Sequence, residues 1–204
     1  QNLNRGDRFE IVRFATEAEP LFSRLAPADA DHLAKAAAFV KELKPIGGTA
    51  IEDALAAALA PAPGVGSPDR PYVVVFLTDG KPTIGSTDEK QILDRARAAA
   101  GGRAVRVFCF GIGTDINTRL LDRLAEETRA ASQYVLPSED IEVKVSNFYA
   151  KISMPVLANP RLEVSGTVKI SKTYPAALPD LFKGEQLVLF GRYTGSGAAT
   201  VKLS

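Results

Sequence analysis

Tyr72-Val-Val-Val-Phe-Leu-Thr-Asp-Gly-Lys-Pro82 is an unbroken apolar run that ends in a carboxylate and is closed by glycine and proline. A short run rich in β-branched residues and bounded by such breakers predicts a strand buried on both faces of a sheet. In an open α/β sheet, ligands bind just beyond the carboxyl ends of the strands. Asp79 therefore lies where binding or chemistry is expected.

The composition is that of an ordinary globular protein, with 46% apolar and 24% charged residues in a chain of 204. This length allows one large domain, or one domain with a small companion. The formal net charge of +1 gives no argument for nucleic acid or an anionic membrane surface as a partner. Cys109 is the only cysteine, which excludes an intrachain disulfide and a thiolate metal cluster.

Predicted strands and helices alternate through the first three quarters of the chain. The strands are expected at 8–14, near 19–22, at 72–77, 104–113 and 133–136, and the helices at 29–43, 49–59, 88–100, 117–130 and 141–152. This order predicts an α/β fold: a doubly wound, mostly parallel sheet with helices on both faces.

The pattern changes after Pro155 to an alternation of period two, as in Leu162/Val164 and Val201/Leu203. We therefore divide the chain into an α/β domain at 1–155 and an antiparallel β-rich module at 156–204. A module of this size is too small to be stable alone. We expect it to pack on the first domain or on chain outside this sequence.

The segment Gly47-Gly48-Thr49-Ala-Ile-Glu52 has two interpretations. Thr49 and Glu52 have the spacing of a capping box, which is worth about 1 kcal/mol and needs no function. Alternatively, the glycines let the backbone approach a ligand closely while the Thr49 hydroxyl faces it.

Asp79 also has two interpretations, since Thr-Asp-Gly is prone to form an Asx-turn. Together, however, Thr49 and Asp79 are expected on one rim of the sheet, where their hard oxygen donors suit Mg²⁺. Two groups cannot complete an octahedral site, so further ligands must come from elsewhere.

Other polar residues border this rim or have structural roles. Gly48, Gly80, Lys81 and Asp115 are candidate partner-binding residues, although Asp115 is also placed to cap the helix that starts near Asn117. His32 forms no evident nucleophile–base pair, and Cys109 is expected to be a buried small hydrophobe.

The order of these motifs resembles the von Willebrand factor type A domain. Gly-Gly-Thr49 and Thr-Asp79-Gly resemble two parts of that family's metal-ion-dependent adhesion site. The run from Tyr174-Pro to Gly-Arg-Tyr193 is similar to the segment after this domain in the inter-alpha-trypsin inhibitor heavy chain-like proteins. The resemblance implies a non-enzymatic adhesion module that holds Mg²⁺, Mn²⁺ or Ca²⁺, binds an acidic side chain of a protein partner, and works outside the cytoplasm or at the cell envelope.

One part of the family pattern is missing. No Asp-x-Ser-x-Ser occurs before Gly6, so only Thr49 and Asp79 carry over as metal ligands. We expect this chain alone to bind metal weakly or not at all. The family's central strand, which lies between the strands predicted at 8–14 and 72–77, is also missing, and the facing edges predict direct pairing, a homodimer or strand exchange.

Two other functions remain as alternatives. The first is a metal-independent assembly scaffold. The second is a phosphatase-like hydrolase with Asp79 as nucleophile, although Lys81 occupies the place where that chemistry needs a second acid.

Overall fold

The structure, a computed structural model, describes residues 3–44, 47–62, 72–152, 155–157, 160–182 and 186–204. Its helices are α1 (Ala30–Lys41), α2 (Ile51–Leu59), α3 (Glu89–Ala100), α4 (Thr118–Glu127) and α5 (Ile141–Ile152). Its strands are β1 (Arg8–Phe9), β2 (Val12–Phe14), β3 (Ala18–Pro20), β4 (Ala26–Pro27), β5 (Tyr72–Thr78), β6 (Val105–Ile112), β7 (Ser132–Val135), β8 (Pro155–Leu157), β9 (Leu162–Gly166), β10 (Lys169–Tyr174), β11 (Leu181–Phe182), β12 (Phe190–Thr194) and β13 (Ala199–Leu203). None of the described helices is long and apolar enough to cross a bilayer.

The central sheet has the strand order β5-β6-β7, and all three strands are parallel. Helix α3 connects β5 to β6 and helix α4 connects β6 to β7, so each parallel pair has the long crossover that parallel pairing requires. The α/β fold predicted from the sequence is confirmed. The carboxyl ends of β5 and β6 meet at one edge, and the loops that follow them form the rim of the candidate site.

Two apolar clusters cover the two faces of this sheet. On one face, α2, α3 and α4 pack on Val74, Phe76, Val107 and Cys109. On the other face, Phe148 of α5 packs against Phe108 and Phe110 of β6, and its ring centroid lies 4.8 Å from the ring centroid of each. Each fully buried aliphatic or aromatic side chain contributes about 1.5–3 kcal/mol, so these clusters hold the sheet and helices together.

Strand β5 is not buried on both faces, so this part of the sequence prediction is wrong. Val74 and Phe76 are buried, but Val73, Val75 and Leu77 are each 37% exposed. They share a face with Phe108 and Phe110, and α5 lies over β6 rather than over β5. The apolar run therefore reflects a strand whose second face is partly open within the described residues.

The predicted strand at 8–14 is instead two short strands with different partners. Strand β1 pairs with β4, and β2 pairs with β3. The cause is the Glu10 carboxylate, which accepts hydrogen bonds from the backbone amides of Ile11, Phe22 and Arg24 at 2.8–3.1 Å. These bonds replace ladder bonds at the point where one strand would otherwise continue.

The C-terminal part contacts the α/β part through residues 178–182. Arg106 on β6 makes a bidentate ion pair with Asp180, at 2.6 and 3.1 Å, and Phe182 joins the cluster around Phe108. Beyond this contact, β9 and β10 pair with β13 and β12 as an antiparallel ribbon in which every residue of β12 and β13 is exposed. The division at 155 stays a prediction.

Candidate functional site

The loop before α2 is bonded to the loop after β5. The backbone amides of Thr83 and Ile84 donate to the Thr49 carbonyl at 3.1 and 3.4 Å, and the Thr49 amide donates to the Thr83 hydroxyl at 2.8 Å. In addition, the Ala50 amide donates to the Ala15 carbonyl at 2.7 Å. Backbone bonds therefore fix the position of Thr49 relative to the loop that carries Asp79.

The Thr49 hydroxyl lies against the residue that follows Asp79. A Cβ placed on Gly80 would lie 3.0 Å from the Thr49 Oγ1. On the other side of the same contact, a Cβ on Gly48 would lie 2.5 Å from Cγ1 of Ile84. Glycine at both positions lets the loops approach this closely, and the structure thus brings Thr49 next to the backbone at Asp79–Gly80.

The turn after β5 is not formed by the Asp79 side chain. Instead, Thr78 Oγ1 donates to the Gly80 carbonyl at 3.1 Å and accepts from the Gly80 amide at 3.3 Å. The predicted Asx-turn is therefore replaced by a turn built on the buried Thr78. This arrangement leaves the exposed Asp79 carboxylate available on the rim.

Lys81 and Asp115 join the loops after β5 and β6. Lys81 Nζ lies 2.5 Å from the Asp115 carboxylate, and their side chains are 56% and 82% exposed. Asp115 does not cap the next helix, as one interpretation of the sequence expected. Asn117 does so, by accepting from the Leu120 amide at 3.1 Å, because it lies directly before the first helical residue.

The predicted capping box at Thr49 is wrong. The N-cap of α2 is Ala50, which makes no side-chain capping bond. Glu52 instead accepts from the Ser86 amide at 3.0 Å and pairs with Arg95 of α3. A signal for this was present, because Glu52 lies three residues before Leu55 and so falls on the buried face of α2.

The arrangement offers two oxygen donors for a cation. Within the described residues, no group of three or more His, Cys, Asp or Glu side chains is placed to hold a metal ion. The Thr49 hydroxyl and the Asp79 carboxylate suit a hard divalent cation in chemistry, but they are too few for the octahedral shell of Mg²⁺. The described residues therefore fit part of a metal site.

His32 and Cys109 lie outside the rim contacts. His32 Nδ1 is 2.7 Å from the Asp29 carboxylate, and its ring packs edge-on against Phe22. Cys109 is fully buried in β6, and burial raises the pKa of its thiol to about 12. Within the described part of the chain, the contacts of both residues are therefore those of structural side chains.

Comparison with known proteins gives a consistent result. The family model described as "von Willebrand factor type A domain" matches residues 1–133. Human inter-alpha-trypsin inhibitor heavy chain H4 is 28% identical over 201 residues, which are 96% of this chain and 21% of that protein. Human heavy chain H6 is 37% identical over 131 residues, covering 64% of this chain and 10% of that protein. The chain thus spans about a fifth or less of the length of these relatives.

A solved structure shows the same fold. The von Willebrand factor type A protein from Catenulispora acidiphila superposes with a TM-score of 0.65 at 23% identity, covering 98% of this chain and 48% of that one. The superposition extends over the C-terminal ribbon as well as the α/β part. With the family model covering more than half of its residues, and with heavy chains of the inter-alpha-trypsin inhibitor among its relatives, this chain belongs to the von Willebrand factor type A domain family.

Proposed function

We propose that this chain is a non-enzymatic protein-binding module whose ligand site is the rim formed by Thr49, Asp79 and their flanking loops. The observation that carries the proposal is the closeness of the Thr49 hydroxyl to Gly80, the residue directly after Asp79: a Cβ on Gly80 would lie 3.0 Å from the Thr49 Oγ1. Family membership supports protein binding, because domains of this family are generally interaction modules.

The binding is metal-dependent in this proposal. Thr49 and Asp79 supply two oxygen ligands to Mg²⁺, Mn²⁺ or Ca²⁺, and the remaining ligands come from outside the described residues. When bound, the cation supplies positive charge for an acidic side chain of the partner protein. Gly48 and Gly80 keep the rim narrow, while Lys81 and Asp115 set the charge around it.

The chemistry of the rim supports a binding role over catalysis. A phosphatase that used Asp79 as nucleophile would need a second acid two residues later, and Lys81 stands there with its ammonium group on Asp115. His32, the only histidine, is engaged with Asp29. The described contacts therefore favour binding over the two-acid chemistry of such a phosphatase.

A metal-independent scaffold is the second candidate, and one observation favours it. The partly open apolar face of β5 and the exposed ribbon of β9–β13 are surfaces that other protein segments can cover. In that case a second copy of the chain, or a strand exchanged between copies, would occupy the sheet edge, and chelation of metal would not affect assembly.

Paramagnetic NMR with millimolar Mn²⁺ tests the metal proposal, because it detects weak binding. We expect broadening centred on the amides of Thr49 and Gly80, abolished by EDTA and by Asp79→Asn. Asp53→Asn, which removes an exposed carboxylate from the same region of α2, is the matched control and should leave the broadening unchanged. Broadening elsewhere, or none, would overturn the proposal in favour of the scaffold.

A further inference from the structure

Glu52 is a buried carboxylate next to the rim that the proposed function does not use. Its side chain is 8% exposed, whereas that of its partner Arg95 is 67% exposed. One carboxylate oxygen accepts from the Ser86 amide at 3.0 Å, and the other pairs with Arg95. Glu52 thus connects α2, α3 and the loop after β5.

This contact completes the anchoring of the segment from Asp79 to Ser86. In the second half of the segment, Thr83 and Ile84 are bonded to Thr49, directly before the N-cap of α2. At the end of the segment, Ser86 is bonded to Glu52 in the first turn of α2. The start of α2 therefore holds the segment in two places.

The energetics argue against a purely stabilising role for Glu52. Taking a carboxylate out of water costs several kcal/mol, and a partner that stays exposed returns only part of that cost. An apolar side chain at this position would extend the buried stripe of Ile51, Leu55 and Leu59 without any such penalty. What an apolar residue cannot do is accept a hydrogen bond from the loop backbone.

Gly85 lies between the rim segment and the carboxylate of Glu52. A Cβ on Gly85, whose φ is +72°, would make an ordinary contact at 3.4 Å with Oε2 of Glu52. With the Ser86 amide bonded to the same oxygen at 3.0 Å, the loop backbone itself contacts the carboxylate. A change at Glu52 is transmitted to the loop without any intervening side chain.

We infer that Glu52, together with Arg95, is a positioning residue that fixes the loop 79–86 on α2 and so keeps Asp79 beside Thr49. For its effect on ligand binding, this inference rests on the proposed function of the rim. For its effect on the loop, it rests only on the contacts of Glu52.

Amide hydrogen exchange followed by NMR tests the effect on the loop. We expect the amides of Thr83, Ile84 and Ser86 to exchange about tenfold faster in Glu52→Gln, which keeps an acceptor, and about a hundredfold faster in Glu52→Ala, which does not. Arg95→Gln should resemble Glu52→Gln. All rates are compared with those of Leu55 in the same variant, which report on unfolding of the core.

Asp180→Asn is the matched control, because it removes a buried carboxylate that pairs with Arg106 away from the rim. It should lower overall stability, and so speed exchange at Leu55, but should not raise the ratio of loop to core exchange. If Glu52→Ala preserves that ratio, or if Asp180→Asn changes it equally, the positioning role is wrong.

Broadening by Mn²⁺ then separates this inference from the proposed function. If the wild-type chain shows broadening at Thr49 and Gly80, Glu52→Ala should weaken it at least tenfold, and unchanged broadening would overturn the link between Glu52 and the site. If the wild-type chain shows none, the metal proposal fails, and the exchange ratios alone decide whether Glu52 positions the loop.

Discussion

Two glycines control the rim at the scale of single residues. Gly48 and Gly80 face Ile84 and Thr49 across the same narrow contact. Neither glycine has a positive φ, so what each provides is the absence of a side chain. The loops therefore meet because two side chains are absent.

We predict that Gly80→Ala separates the loops. A Cβ would lie 3.0 Å from the Thr49 Oγ1, so the hydroxyl has to give way by a few tenths of an ångström, while the backbone bonds of Thr49 resist a larger shift. Overpacking of this kind costs about 1–3 kcal/mol, which urea unfolding measures. Gly6→Ala is the control, because a Cβ there meets nothing within 4 Å. Equal stability of the two variants would show that the rim gives way without cost.

The buried thiol of Cys109 makes the stability of the folded chain depend on pH. Burial raises the pKa of its thiol to about 12, from an ordinary value of 9.0. The folded state therefore favours the neutral thiol, so its contribution is fully present below pH 9 and is lost as pH rises from 9 towards 12. We expect no reaction with a disulfide reagent at pH 8 in the folded chain and full reaction in urea. Rapid reaction of the folded chain at pH 8 would contradict the burial of β6.

The sequence indicated some of these residues and missed others. Thr49 and Asp79 could be identified as candidates from local signals. Thr49 follows a glycine pair just before a helix, and Asp79 ends an apolar run. Glu52 was assigned to a capping box because local spacing cannot show that Ser86 lies above it. The partner of Asp115 was missed for the same reason, since Lys81 is near it only in space.

At the scale of elements, one arginine connects the ends of two helices. Arg103 donates to the carbonyls of Leu59, the last residue of α2, and of Ala62 just after it, and to those of Ala99 and Ala100 at the end of α3. The last carbonyls of a helix have no partner within the helix, and a cation there also interacts favourably with the negative end of the helix dipole. Arg103 therefore joins α2 to α3 at the pole opposite the rim.

We predict that Arg103→Met lowers the free energy of unfolding by about 1.5–3 kcal/mol, the typical contribution of hydrogen bonds to a charged group. Methionine keeps the aliphatic stem but leaves the carbonyls of both helices without their donor. Thermal or urea unfolding measures the loss, with Arg119→Met as control because that side chain is 76% exposed. A loss no larger than that of the control would mean that water replaces the guanidinium.

The helices and the central strands of the sheet were predicted more accurately than the strands at its open side. Helix α3 runs from Glu89 to Ala100, close to the predicted 88–100, between its Asp88 cap and Gly101, whose φ is +57°. The strand at 8–14 was overextended, because the bonds of Glu10 to Phe22 and Arg24 depend on chain twelve or more residues away. Strand β5 was expected to be buried on both faces because its composition is that of a central strand.

At the scale of the whole molecule, a buried ion pair connects the sheet to the C-terminal part. The side chains of Arg106 and Asp180 are 8% and 7% exposed, and Leu178 and Phe182 are buried on either side of Asp180. Removing one partner leaves the other charge buried, which costs about 3–5 kcal/mol. We expect Asp180→Asn to lower the free energy of unfolding by this amount, measured in urea.

The double variant Arg106→Leu/Asp180→Leu distinguishes charge from packing. Replacing both partners by apolar groups removes the desolvation penalty, so we expect it to recover most of the loss seen in Asp180→Asn. If Asp180→Asn costs nothing, residues 178–182 do not depend on this pair for their position.

The last prediction concerns the open edge of the sheet. Among the described residues, β5 pairs only with β6, and β2 pairs only with β3, although the rings of Phe14 and Phe76 stack at 5.3 Å between β2 and β5. A strand with an unpaired edge and a partly open face of Val73, Val75 and Leu77 attracts another strand.

We therefore predict that light scattering shows a dimer or an exchanged element. Val75→Lys should weaken this association, whereas Val40→Lys, at an equally apolar exposed position on α1, should not. A monomer whose β5 amides are fully protected from hydrogen exchange would mean instead that β2 and β5 close the gap directly.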